Sequence, residues 1–179
     1  MNYNEDFWEM INNDPHIKDL KENNASKQQL KNPINSYAER YIRYMVKDCA
    51  AVSYVYRTDI LCPEVDNDSK TDVVADLKNG EKLFIPVAKD VWSQTAQMDR
   101  MKMFLLKHDL FDLKAKYENQ KKPNYIFVVY GDLNYALSDN FLKAKSVRKK
   151  GIQEKLKFLV ANRLLMDLNR LKIYLDELV

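Results

Sequence analysis

The segment 71–90, TDVVADLKNGEKLFIPVAKD, constrains the fold more tightly than any other part of the chain. Asn79-Gly80 separates two apolar-rich runs, and Asn-Gly suits both positive-φ positions of a type I′ turn. The spacing predicts a β-hairpin with strands over 71–78 and 82–89. Side chains alternate between the two faces of a strand. Asp72, Val74 and Asp76 therefore share one face of the first strand, and Leu83, Ile85, Val87 and Lys89 share one face of the second. An acid on one strand and a lysine on its neighbour then converge near one end of the ribbon. A lysine ammonium at the end of an apolar strand needs a carboxylate, a phosphate or open water beside it.

The flanking sequence supplies the remaining elements. Ile34, Ala38, Tyr41, Ile42 and Met45 recur at helical spacing, so an amphipathic helix is expected after Asn32-Pro33, with the proline closing the region before it. Asp14-Pro15 reads as a helix start within a polar N-terminal stretch. AAVSYVYR (50–57) reads as a strand, and the loop 58–70 carries four carboxylates. A helix is expected beyond Trp92, with Gln97, Met101, Phe104, Leu105 and His108 on one face. NYIFVVYGD is a short apolar run between Pro123 and Gly131 and reads as a buried strand. From about Ser138 the chain reads as helical throughout, broken at Gly151 and striped with leucines over 152–178. Pro86 within the second hairpin strand suggests a bulge or a sheet edge.

Composition narrows the function classes. Three glycines, Gly80, Gly131 and Gly151, are too scattered for a phosphate-cradling loop, a dinucleotide fingerprint or a nucleophile elbow. The balance of 29 Lys plus Arg against 26 Asp plus Glu gives a net charge of +3, so only local clustering can speak for nucleic acid. One such cluster exists: Lys143, Lys145, Arg148, Lys149 and Lys150 put five basic residues within eight positions. Cys49 and Cys62 lack zinc-site spacing and fit a reducing cytoplasm. The N-terminus is acidic where a signal peptide is basic, and no apolar run approaches the roughly 18 residues of a membrane span, so a cytoplasmic protein without membrane contact is expected. A chain of 179 residues fits one domain (1–179), with 1–33 as a polar helical N-terminal extension, 34–137 as the core and 138–179 as C-terminal helices.

The hairpin string and the order helix, strand, hairpin, helix, strand resemble the active-site core of the PD-(D/E)XK nuclease superfamily, which includes type II restriction endonucleases. The resemblance covers about residues 34–135. It implies an α/β fold: a restriction-endonuclease-like sandwich with a small mixed sheet of four or five strands flanked by helices, and a helical C-terminal third. Carried over by position, it implies Asp72 as the first-strand acid, Lys89 as the catalytic lysine, Glu39 (in SYAERYI) as the helix glutamate, and Gln94 or Gln97 as the following glutamine. The acid-x-lysine triplet reads Val87-Ala88-Lys89, so valine stands at the second acid position, and either Asp76 or Asp90 is a candidate replacement. The function implied is a Mg²⁺- or Mn²⁺-dependent endonuclease. Glu39 and Asp72, with Asp76 or Asp90, would hold metal, and the substrate would be DNA sooner than RNA. The basic run 143–150 would follow the phosphate backbone, and the leucine stripe offers a homodimer contact. The alternative is a nuclease fold that has lost catalysis and serves as a nucleic-acid-binding or protein-interaction module.

Overall fold

The structure is a computed structural model and describes residues 1–57, 72–91, 105–118, 123–140 and 151–178. The N-terminal stretch is two short helices, α1 (Tyr3–Asn13) and α2 (Pro15–Glu22). Asn2 caps the first through the Glu5 amide. Asp14 caps the second by accepting from Ile17 N at 3.0 Å, with Pro15 at the first helical position. Phe7, Ile11 and Ile17 are the residues they bury.

Helix α3 (Lys27–Lys47) begins well before the proline expected to precede it. Ser26 Oγ accepts from Gln29 N at 3.2 Å while Gln29 Oε1 accepts from Ser26 N at 2.8 Å, a reciprocal capping box. Pro33 lies inside the helix and forfeits one intrahelical bond. Leu30 and Ile34 on either side of it pack against the core, and that packing carries the helix through.

Strands β1 (Val52–Arg57), β2 (Val73–Leu77) and β3 (Lys82–Ile85) form an antiparallel sheet in that order. The expected hairpin is present, with Val74 opposite Phe84 and Asp76 opposite Lys82, but its turn differs from the two-residue form. Leu77 N bonds Glu81 O at 2.8 Å and Gly80 N bonds Leu77 O at 3.0 Å, which makes a three-residue loop with Gly80 alone at positive φ (+89°). Asn79 instead uses its side-chain oxygen to accept from Glu81 N.

Strands β4 (Val87–Ala88), β5 (Phe127–Val129) and β6 (Leu165–Met166) form a second, parallel sheet. Pro86 separates β3 from β4 because it has no N–H for the ladder. Backbone bonds nevertheless run past it: Phe84 N to Asn124 O (2.7 Å), Ile126 N to Phe84 O (2.9 Å) and Val128 N to Pro86 O (3.0 Å). Leu83, Ile85 and Val87 all enter the same core, so alternation continues through Pro86 and the expected bulge does not shift the register.

Successive residues of the parallel strands feed two cores on opposite faces. Val87, Val128 and Met166 pack with α1, α3 and α7 (Leu168–Glu177), whereas Ala88, Val129 and Leu165 pack with α4 (Leu110–Tyr117), α5 (Leu133–Ala136) and α6 (Ile152–Ala161). The architecture is mixed α/β with six short strands among the described residues, not four or five. The C-terminal third is not helical throughout. Helix α6 ends where Arg163 takes φ +63°, with Leu164 N closing on Leu159 O at 2.9 Å. Leu165 and Met166 then pair with Phe127 and Val128, and Asp167 caps α7. A leucine stripe at helical spacing hid this strand because its two residues are buried on opposite faces. Among the described residues no helix is long and apolar enough to cross a membrane.

Candidate active site

Asp72 stands at a bend immediately before β2, and Glu39 lies on the face of α3 that looks toward the hairpin. Because Pro86 offers no amide, the Asp72 carboxylate takes up the next one: Oδ2 accepts from Val87 N at 2.7 Å. The other contact that defines the site is a hydrogen bond between the Asp72 and Glu39 carboxyl groups. Two residues 33 positions apart in sequence thus meet at the end of the ribbon where the sequence places a functional acid.

Burial dominates the electrostatics. It pushes Glu39 up to about 7, helped by the charge of Asp72 and the hydrogen bond to it, against the opposing pull of Arg43 and Asn35. It raises Asp72 to about 6, with the Val87 amide and the Glu39 hydrogen bond working in the other direction. The shared hydrogen bond raises Glu39 and lowers Asp72, so Glu39 is its donor and the bridging proton is lost as pH rises through about 7. Two half-buried carboxylates side by side ionise together only at a cost, which a cation beside them would relieve.

A chain of side chains from α3 itself, the end of β5 and α1 leads outward from Glu39. Asn35, one helical turn earlier on α3, donates from Nδ2 to Glu39 Oε1 at 2.9 Å. Tyr130, just past β5 and 2% exposed, donates its hydroxyl to Asn35 Oδ1 at 3.3 Å. Its phenol is pushed up by burial first and then by the charges of Glu39 and Asp90. Trp8 of α1 donates Nε1 to the Tyr130 carbonyl at 2.8 Å, and Phe7 meets the Tyr130 ring edge-on at 5.5 Å.

Lys89 follows Val87 with the same parity, is exposed, and stands its amine 5.8 Å from the centre of the Trp8 ring. Among the described residues no ion pair joins it to Glu39 or Asp72. Gly131 fixes the backbone here. Its amide bonds the Lys89 carbonyl at 2.7 Å, and a β-carbon at 131 would lie 2.5 Å from that oxygen.

The sequence-derived acids therefore divide. Glu39 and Asp72 are together, and Asp90 is half-buried close enough to influence Tyr130. Asp76 is elsewhere: four residues along the strand, roughly 13 Å from Asp72 at about 3.3 Å per residue. There its carboxylate is engaged by Lys82 Nζ at 2.7 Å and by the Tyr56 hydroxyl. Val87, at the second acid position, is buried in the apolar core that includes Ile42 and Val128. Among the described residues no three His, Cys, Asp or Glu side chains gather into a metal-ligating group. Gln94, Gln97 and the basic run Lys143, Lys145, Arg148, Lys149 and Lys150 lie outside the described residues.

No family model, curated protein or solved structure matches this chain. The site is thus read from its own geometry. That geometry adds Asn35, Tyr130 and Trp8 to the sequence-derived residues. Asn35 carried a legible signal, a polar residue four positions before Glu39 on one helix face. Tyr130 and Trp8 arrive by contacts across 95 and 122 residues of sequence and had none.

Proposed function

We propose that this chain is a divalent-cation-dependent phosphodiesterase of the PD-(D/E)XK kind, with DNA as substrate sooner than RNA. One observation carries the reading: Glu39 of α3 and Asp72 at the start of β2 meet in a hydrogen bond, at the same end of the hairpin from which Lys89 leaves.

The donor set fits the cation. Mg²⁺ is commonly held by one or two carboxylates, with water and substrate phosphate completing its octahedron, and two carboxyl groups pressed together in a half-buried setting gain from a cation in place of their proton. Glu39 and Asp72 would hold it. When bound, Mg²⁺ or Mn²⁺ supplies positive charge against the charge that develops on a phosphoryl group and acidifies nearby water. The chain's own residues do the rest. The Val87 amide fixes Asp72, and partial burial strengthens the electrostatics of the pair. Lys89, on a flexible stem at the exposed mouth, reaches the phosphate and offsets its charge. Gln94 or Gln97 would orient the phosphate, and the run Lys143 to Lys150 would follow the backbone with salt-sensitive affinity.

The burial of Val87 among aliphatic side chains favours a second reading, a nuclease fold that binds nucleic acid or a protein without cutting. A plasmid-nicking assay in Mg²⁺ and Mn²⁺ separates the two, run on wild type, Glu39→Ala and Lys89→Ala beside a fluorescence-anisotropy titration of the same DNA. Metal-dependent nicking that falls at least a hundredfold in both variants supports the enzyme. Salt-sensitive binding without nicking supports the second reading, and neither binding nor nicking overturns both for DNA.

A further inference from the structure

We propose that Asn35 is the positioning residue of this site: its amide, steadied by the Tyr130 hydroxyl, turns Glu39 toward Asp72. The proposal rests on the reading of the carboxyl pair as a cation seat and adds the residue that makes the pair. A glutamate side chain has three rotatable bonds, and on a half-exposed helix face it spends most of its time in water unless something holds it. Here Asn35 Nδ2 donates to Glu39 Oε1 at 2.9 Å, which anchors the carboxyl group that also hydrogen-bonds Asp72.

Asn35 is itself held. Its Oδ1 accepts from Tyr130 at 3.3 Å, and Tyr130 is among the largest fully buried side chains described: 2% exposed, met edge-on by Phe7 and fastened through its carbonyl to Trp8. The order of contacts is α1 to the end of β5, then to Asn35, to Glu39, to Asp72, and finally to the amide of Val87. Rigid packing at one end therefore sets the rotamer of a carboxyl at the other. Asn35 acts through Glu39 and needs no contact with the ion.

The test is a double-mutant cycle in urea with wild type, Asn35→Leu, Glu39→Ala and the combined variant, together with calorimetric titration of each with Mn²⁺ at pH 8. The unfolding constant of the combined variant is expected to depart from the product of the single effects by about threefold to tenfold. Mn²⁺ affinity should fall about tenfold in Asn35→Leu, with partial recovery in Asn35→Gln. Multiplicative single effects together with unaltered Mn²⁺ affinity in Asn35→Leu overturn the proposal. A wild type that binds no Mn²⁺ while the coupling persists defeats the cation reading but supports the orienting role. Should Asn35→Leu not fold, Tyr130→Phe removes a single hydroxyl and carries the same test. An affinity loss of about threefold is then expected, and none overturns the proposal.

Discussion

Asp72, at the bend that opens β2, and Asp76, within the strand, are four residues apart, yet the fold gives them opposite chemistry. Asp76 looks out toward water, where the Lys82 ammonium and the Tyr56 hydroxyl hold its carboxyl below the usual range. Asp72 is drawn under α3, where burial beside a second carboxyl raises it to about 6. An exposed acid opposite a lysine is a cross-strand pair, one among many that decorate sheets and contribute little. A half-buried acid facing another acid is costly to maintain, and that cost marks the site. Parity along the strand would place both residues on one face, the face away from α3. Helix α3 covers the opposite face, that of Val73, Ala75 and Leu77, and only Asp72, at the bend before the strand, turns toward it.

The contrast can be broken from either end. The largest expected effect is on metal-dependent nicking: Asp72→Ala is expected to reduce it at least a hundredfold, whereas Asp76→Ala stays within about twofold of wild type when both are assayed side by side. Next is the backbone that carries Lys89. Gly131→Ala drives a β-carbon into the Lys89 carbonyl, so a loss of about 1–3 kcal/mol is expected in urea unfolding.

The pH dependence of stability comes third, and its sign differs between the two acids. Glu39 and Asp72 bind protons more tightly folded than unfolded, so the stability they contribute is complete at low pH and is lost as pH rises through about 6 and 7. Stability should fall by about 1–2 kcal/mol between pH 5 and pH 8, discounted for the water that still reaches Glu39. Glu39→Gln should flatten that slope in urea titrations across the range. Asp76 binds its proton less tightly folded, so its contribution is present at neutral pH and is lost on acidification. Asp76→Asn should leave the slope between pH 5 and 8 unchanged. The smallest effect sharpens the contrast by adding to it. Val87→Glu places a third acid on the face of the sheet that packs against α3, and Mn²⁺ affinity should rise about tenfold in calorimetry despite a weaker fold.

Local signals were legible where they governed the outcome. The hairpin was readable because Gly80 takes the left-handed conformation the turn demands, although the loop has three residues and uses Asn79 as a side-chain acceptor. For the pairing of Glu39 with Asp72, helix periodicity aims Glu39, but strand parity misplaces Asp72. Val73, Ala75 and Leu77 are the β2 residues that share the α3-facing core with Leu83, Ile85 and Val87, so alternation alone would send Asp72 to the far face with Asp76, and the bend before β2 turns it back. Three features were not legible, each for a physical reason. Pro33 marks a helix boundary by local sterics, but the capping box at Ser26 and packing at Leu30 and Ile34 outweigh it. Strand β6 was hidden in an apolar stripe, since burial on both faces of a sheet and burial on one face of a helix leave similar patterns. Tyr130 and Trp8 reach Glu39 and Lys89 only through tertiary contacts, which no local periodicity encodes.

The most direct measurement is a carbon-13 NMR titration of the Glu39 and Asp72 side-chain carboxyls with and without saturating Mg²⁺. Without the ion, both should titrate between about pH 6 and 7, and each should shift when the other is mutated. With Mg²⁺ both midpoints should drop by more than one pH unit as the cation displaces the bridging proton. Two independent titrations in the ordinary carboxylate range, indifferent to Mg²⁺, would contradict the paired site and the function built on it.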